Sequence, residues 1–366
     1  MKKVIVIGGG IAGLSAGIYA QKCGFNTTVL ESHYIPGGNC TSWKRGGYLF
    51  EGGMHWLTGS GENQPLHKLW HHVGALTDNV KIHYSEPYLE YDHEGTPIRL
   101  YRDVNQTEKH LIELSPTDEK EIKKLCNYIR KIKKLSMPVT DLRGVKVTKK
   151  NRMPLSFLFS AMSVFRAIGK VSKISQEAYI NRFKHEGIKE MLRSNTSVEG
   201  GFLPIKIGED TREYLSINNY ASDSDYSPNG KTALTIILNG DTYDFWKKAK
   251  EKNQYAEEKQ KLADAIIDAL STQIPEINGH VEVWDVATPL TYERYCANWR
   301  GSWMTAMTQG KKMMKNYPSM IPGLSGVYFA GHRIMPPGGL PVALVTGRTA
   351  VQHLCRDTKT LFISEE

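Results

Sequence analysis

Residues 1–31 restrict this chain more than any other stretch. Val4-Ile-Val-Ile7 is a short apolar run that enters Gly8-x-Gly10-x-x-Gly13 directly, and a helical stretch follows to about Lys22. After Gly24 a second apolar run, Thr28-Val29-Leu30, ends at Glu31. Strand, glycine turn, helix, strand and acid in that order predict a βαβ unit that holds a dinucleotide. Gly8 permits the tight turn off the strand. Gly10 lets the main chain, with Ile11 and Ala12 beside it, approach a pyrophosphate, and Gly13 lets the helix pack close to the strand. The helix N-terminus adds unpaired N–H donors and a partial positive charge. Glu31, followed by Ser32, stands where a carboxylate accepts hydrogen bonds from an adenosine ribose. An acid there favours a free 2′-OH, hence FAD or NAD over NADP. A ligand-free glycine turn would not need all three flanking signals together. A signal peptide is rejected too, because the apolar run after Lys2 and Lys3 stops at four residues, short of the roughly 7–15 required.

Bulk properties narrow the class. A chain of 366 residues with 40% hydrophobic content suits one large or two medium globular domains. No apolar run approaches the roughly 20 residues of a membrane span. Cys23, Cys40, Cys126, Cys296 and Cys355 are widely spaced and form no Cys-x-x-Cys. They read as small buried hydrophobes in a reducing, cytoplasmic setting, with no metal site. The net charge of +9 is concentrated: Lys123 to Arg152 holds eleven Lys or Arg against one acid, Asp141. Such a run is usually a solvated helix face and loop, although it also suits an anionic membrane surface or nucleic acid. No recognition motif accompanies it, so specific nucleic-acid binding is not expected. The following segment, Met153–Ile168, is apolar and Phe-rich but too short to span a bilayer. It reads equally as an interfacial helix, the wall of an apolar tunnel or a core helix. Residues 123–168 together are a candidate contact with the inner face of a membrane.

Further along, Gly37-Gly38-Asn39 is followed by Gly46-Gly47 and Gly52-Gly53 on either side of a short strand, and such paired glycines suggest backbone held close to a ligand. Leu89–Tyr91 and Pro97–Tyr101 read as a hairpin around Asp92-His93-Glu94-Gly95-Thr96. Ser115-Pro116-Thr117-Asp118 launches a helix to about Leu135. Lys150–Leu192 reads as mainly helical. Glu213–Asn219 and Lys231–Leu238 are β-rich, separated by Ser227-Pro228-Asn229-Gly230. Asp241 to about Thr272 reads as one long helix, and Val281–Val286 as a strand. Val327-Tyr-Phe-Ala-Gly331, then Gly338-Gly339-Leu340-Pro341 and a helix over Val342–Cys355, repeats the order strand, glycine turn, helix. A second helix dipole there suits another part of a long dinucleotide. His67, His71 and His72 include an i, i+4 pair but have no nearby acid or cysteine, so a solvated helix face is expected.

Gly8-x-Gly10-x-x-Gly13…Glu31…Gly37-Gly38 resembles the FAD-binding motif of the amine oxidase and phytoene desaturase superfamily. Two further blocks resemble its phytoene desaturase, carotenoid isomerase and retinol saturase branch: Thr288 to Ser302, and Ala330-Gly331-His332-Arg333 through Pro341. The resemblance implies an α/β fold, with a Rossmann-like FAD-binding domain of mostly parallel sheet and an α+β substrate domain reached by an apolar tunnel. It places the FAD domain at 1–80 plus 276–366 and the substrate domain at 81–275. It also implies FAD as cofactor and desaturation, saturation or isomerisation of a conjugated isoprenoid. Gly8, Gly10, Gly13, Glu31 and Ser32 would hold the adenine half. Gly37, Gly38 and Asn39 would line the ribityl and flavin region, with Gly331, His332, Gly339 and Leu340 closing the other side. His55, Trp56 and Tyr295 are candidates for the flavin face, against structural readings as a hydrogen-bonded histidine and packing aromatics.

The sequence departs from the branch in three places. Near 194–203 it runs straight into Phe202-Leu-Pro-Ile-Lys-Ile, so a central block of the family is missing and a parallel sheet would be left open. His332 stands where many relatives carry an acid, and Asn39 where others often carry Lys or Arg. An alternative is therefore a catalytically impaired remnant that binds FAD weakly or not at all. A flavin amine oxidase with a polar substrate is a further alternative, opposed by the apolar Met153–Ile168 segment.

Overall fold

The computed structural model describes residues 2–54, 56–134, 138–150, 155–171, 173–194, 202–304 and 316–364. It opens with β1 (Lys3–Ile7), α1 (Ile11–Lys22) and β2 (Asn26–Leu30), with the two strands parallel and in register from Lys3 opposite Asn26 to Ile7 opposite Leu30. Two antiparallel strands follow, β3 (Ser42–Arg45) and β4 (Tyr48–Glu51), then α2 (Pro65–His72). A hairpin of β5 (Leu89–His93) and β6 (Thr96–Leu100) packs with α3 (Val104–Leu114) and α4 (Glu119–Lys133).

Three helices come next: α5 (Leu155–Val171), α6 (Gln176–Ile180) and α7 (Glu186–Ser194). The hairpin β7 (Phe202–Ile207) and β8 (Asp210–Tyr214) precedes β9 (Ser216–Asn219), which pairs antiparallel with β10 (Leu234–Ile237). The chain ends through α8 (Tyr243–Glu251), α9 (Tyr255–Gln273), α10 (Pro289–Cys296) and α11 (Gly339–Thr358).

Glycine sets the closeness of the N-terminal packing. A Cβ on Gly13 would fall 1.9 Å from the Gly8 carbonyl oxygen, and one on Gly17 2.9 Å from a Val29 methyl. Gly347 of α11 does the same on the other side, where a Cβ would lie 2.3 Å from the Ala12 carbonyl oxygen. The three helix glycines let α1 sit between the sheet and α11, with Tyr19, Ala20, Val351, Cys355 and Phe362 buried in the shared core. A buried ion pair ties in the 138–150 segment: Arg348 of α11 donates to Asp141 at 2.6 Å, and Gln352 donates to the same oxygen at 2.7 Å. A second core joins β5, β6, α3, α4 and α7, and a third joins β7 to β10 with Trp246, Leu262 and Leu270.

Several expectations need correction. The segments Val281–Val286 and Val327–Ala330 are not strands. Among the described residues the only parallel pairing between strands is β1–β2, and each sheet has two strands, so the mostly parallel sheet is not seen. The long helix over Asp241–Thr272 is broken between α8 and α9, where Asn253 takes φ 58°. Of the five cysteines, Cys40 and Cys296 are only half-buried, and all five are free. The junction at 195–201 and the start of the Met153–Ile168 segment lie outside the described residues.

Candidate functional site

The glycine turn and the segment after β2 form one cradle. Gly8 takes φ 100°, a left-handed conformation open to glycine, and its N–H donates to the Leu30 carbonyl at 2.7 Å. Gly10 caps α1 with extended backbone and no side-chain cap, so the first N–H groups of the helix keep their donors. Gly37 and Gly38, at φ 129° and 59°, fold back on this turn. Gly37 donates to the Gly9 carbonyl at 2.8 Å, and a Cβ on Gly38 would fall 3.3 Å from the Gly10 Cα. Two bare stretches of main chain thus face each other.

Glu31 closes one side of the cradle. Its Oε2 accepts from Gly9 N–H at 2.5 Å, and its Oε1 accepts from His33 N–H at 2.8 Å and from the Ser32 hydroxyl at 3.3 Å. The His33 amide, and then the Gly9 amide, hold the carboxyl below its ordinary range against a modest desolvation penalty. It therefore stays ionised at neutral pH, with lone pairs left over for ribose hydroxyls.

Asn39 anchors the next part. Its Oδ1 accepts from Asn298 Nδ2 at 2.7 Å, and its Nδ2 donates to the Trp303 carbonyl at 3.3 Å. A Cβ on Gly53 would lie 2.4 Å from the Asn39 carbonyl and 2.7 Å from Trp303 Nε1. Tyr292 donates to the Gly52 carbonyl at 2.6 Å, and burial pushes its hydroxyl up to about 12, so it remains a donor. Beyond lies a cavity of about 630 Å³ whose wall includes Gly38, Asn39, Gly52, Tyr292 and Tyr295.

At the far side, Gly331 N–H donates to Thr346 Oγ1 at 3.0 Å, which fixes the turn onto α11. Gly339 opens α11 at φ 81°, with Leu340 next in the helix. His332 keeps a buried Nδ1 without a hydrogen-bond partner. Burial, then the neighbouring Arg333 charge, hold its imidazole below the usual range and thus neutral. Arg333 donates to the Ser302 hydroxyl at 2.6 Å and to its carbonyl at 2.5 Å.

These residues fit a flavin or nicotinamide dinucleotide. The two glycine turns meet with no Cβ between them and expose main chain beside the start of α1, Glu31 suits a ribose, and the His332 Nδ1 is buried without a partner. Ile11 and Ala12 form the first turn of α1 beside this cradle. Tyr295 reaches the cavity and packs edge-on to His33 at 5.0 Å. Trp56 does not line that cavity and is 62% exposed. His55 lies outside the described residues. The histidines of α2 hold no metal cluster among the described residues: His67 pairs with the Ser60 carbonyl and His72 with the Tyr19 hydroxyl. Asn298, Trp303 and Thr346 were not expected as site residues. Asn298 stood within the quoted Thr288–Ser302 block, and that was its only signal.

Residues 6–73 match the model of an NAD(P)-binding Rossmann-like domain. A stretch of 139 residues is 30% identical to 4,4'-diaponeurosporene oxygenase of Staphylococcus aureus, in strains USA300, NCTC 8325 / PS 47 and Newman alike. That stretch covers 37% of this chain and 27% of each relative, about a quarter of their length. The chain carries an NAD(P)-binding Rossmann-like domain at its N-terminus, and its resemblance to carotenoid-related members of the amine oxidase and phytoene desaturase superfamily is borne out.

Proposed function

We propose that this chain binds FAD and acts as an oxidoreductase, of desaturase, saturase or isomerase type, on a conjugated isoprenoid lipid. The facing Gly10 and Gly38 turns closed by Glu31 carry this reading. FAD, when bound, would supply the ring that accepts or donates hydride. Gly8, Gly10 and Gly13 would hold its diphosphate, Glu31 its ribose, and Asn39 with the 298–303 segment would fix the wall beside the ring. Tyr295 is the candidate flavin-face residue that the cavity supports. The elements from β5 to α9 would form the α+β substrate domain. The test is the visible spectrum of freshly purified protein, together with melting in the presence of FAD, NAD or NADP. Flavin bands and an upward shift with FAD alone are expected. Colourless protein whose melting no dinucleotide alters would remove the proposal.

One observation favours a second reading, that of an impaired remnant. The β1–β2 sheet leaves Ile5 66% and Ile7 89% exposed, and a parallel sheet is normally covered on both faces.

A membrane surface is a proposed partner, and a cytoplasmic protein resting on the inner face of a bilayer the proposed location. Leu155, Phe159, Met162 and Phe165 of α5 are all exposed at helical spacing, and α4 beside them ends in Arg130, Lys131 and Lys133. No helix of the described residues is long and apolar enough to cross a membrane.

A further inference from the structure

The cavity beyond Asn39 is not uniformly apolar. Five cations line it: Lys44 and Arg45 from β3, Lys250 from α8, Lys259 from α9 and Arg294 from α10. Asp285 is the single carboxylate among its lining residues. A run of charge along one helix face is ordinary solvated surface. Here four elements, distant in sequence, each bring a cation to the same cavity.

The lone acid is already committed. Asp285 accepts from Trp43 Nε1 at 3.0 Å and from Val286 N–H at 2.8 Å, and it pairs with Arg45 at 2.9 Å and Lys259 at 3.2 Å. Its side chain is 10% exposed. Those two ion pairs position Arg45 and Lys259. They leave Lys44, Lys250 and Arg294 with no acidic partner among the described residues, and Arg294 instead lies over the Tyr295 ring at 5.1 Å. The other walls include Ile35, Val286 and Leu290. A cavity lined by both cationic and apolar residues suits an amphiphile rather than a pure hydrocarbon.

We propose that the cations converging on this cavity recognise an anionic end group, a carboxylate or a phosphate, on the isoprenoid substrate. The proposal rests on the isoprenoid reading given above and deepens it. Lys44, Lys250 and Arg294 meet the head group, while Arg45 and Lys259, held by Asp285, set the potential behind them. Each partly exposed contact is weak, so the preference comes from several acting together, and it is salt-sensitive.

Three C20 ligands with one shared chain separate the possibilities: geranylgeranoic acid, geranylgeranyl phosphate and geranylgeraniol. Equilibrium dialysis against the full chain is expected to show the two anions binding about tenfold more tightly than the alcohol at low salt. The ratio should shrink toward one in 0.5 M salt and in the double variant Lys44→Glu/Lys250→Glu, while that variant binds the alcohol as before. Both positions are exposed, so the variant should fold, and circular dichroism checks that it does. A tighter fit of one anion identifies the head group. Equal binding of all three ligands, or a preference untouched by charge reversal, overturns the proposal. A preference that vanishes when FAD is saturating assigns the cations to the cofactor's diphosphate and overturns it equally. Melting of the same samples with FAD tests the flavin reading separately: a shift without head-group preference removes only the subsite, and the converse removes only the flavin.

Discussion

Alanine at Gly10 and alanine at Gly13 should fail in different ways, and the contrast tests whether the glycine turn is a binding device or a packing device. Gly10 has φ −70° and ψ 175°, which any residue adopts, and a Cβ there meets nothing nearer than the Gly38 Cα at 3.9 Å. The free protein should therefore tolerate Gly10→Ala and can gain about 0.4–1 kcal/mol from a less flexible unfolded chain. The new methyl would nevertheless cover main chain that, in the proposed reading, a bound diphosphate would meet. Gly13→Ala instead places a carbon 1.9 Å from the Gly8 carbonyl oxygen and 3.3 Å from Val6. Strand and helix must part, at a cost of about 1–3 kcal/mol or more. FAD at a hundredfold excess over its dissociation constant should stabilise the native chain by about 2.7 kcal/mol. Melting with and without FAD reads all three proteins. Gly10→Ala should melt like the native chain and lose the FAD shift, whereas Gly13→Ala should melt early without ligand. An undiminished FAD shift in Gly10→Ala, or native stability in Gly13→Ala, would refute the reasoning.

Other consequences are as direct. Asp141→Asn leaves the buried Arg348 guanidinium without its charge partner and should cost about 3–5 kcal/mol in denaturant unfolding. The double change Asp141→Leu/Arg348→Met should recover most of it, and equal losses in both variants would contradict a charge-pair origin. Acid should destabilise the protein. Burial first, then a nearby Arg, lowers the pKa of His110 and His332, and likewise of His353. The unfolded chain then takes up more protons just below the ordinary histidine value of about 6.5, so stability rises with pH through that window. His332→Gln should flatten part of the slope measured between pH 5 and pH 7, and an unchanged slope would count against it. Replacing Phe159 and Phe165 by Ser should release the protein from anionic vesicles, since both are exposed. Undiminished co-sedimentation would sink that surface.

The first βαβ unit was legible because its glycines act locally. Gly8, Gly10 and Gly13 answer to steric demands within the turn, so spacing alone located β1, α1 and β2. The hairpin of β5 and β6 was legible for the same reason. Strands that depend on distant partners were not. Val281–Val286 and Val327–Ala330 have strand composition, but composition cannot supply a neighbouring edge. The helix over Val104–Leu114 was hidden by its polar letters. Its signal was there: Asp103 accepts from Asn105 N–H as a cap, and Val104, Thr107 and Leu111 bury one face. The cation-lined cavity was invisible for a different reason, since Lys44, Lys250, Lys259 and Arg294 meet only after folding.

The two faces of the first sheet carry the tension between an enzyme and a remnant. Val4 and Val6 turn toward α1, whose glycines let it approach as closely as main chain allows, and α11 seals the far side of that helix. That face is covered. Ile5 and Ile7, with Leu30 beside them, remain in water, and each would gain about 1.5–3 kcal/mol if fully buried. The glycine turn, however, is made by the covered half: Gly10, Gly38 and Glu31 owe their geometry to α1, to the Gly37–Gly9 hydrogen bond and to the Gly9–Glu31 contact. The lack of a neighbour beside Ile5 and Ile7 therefore removes stability and cover from the sheet while leaving the glycine cradle in place.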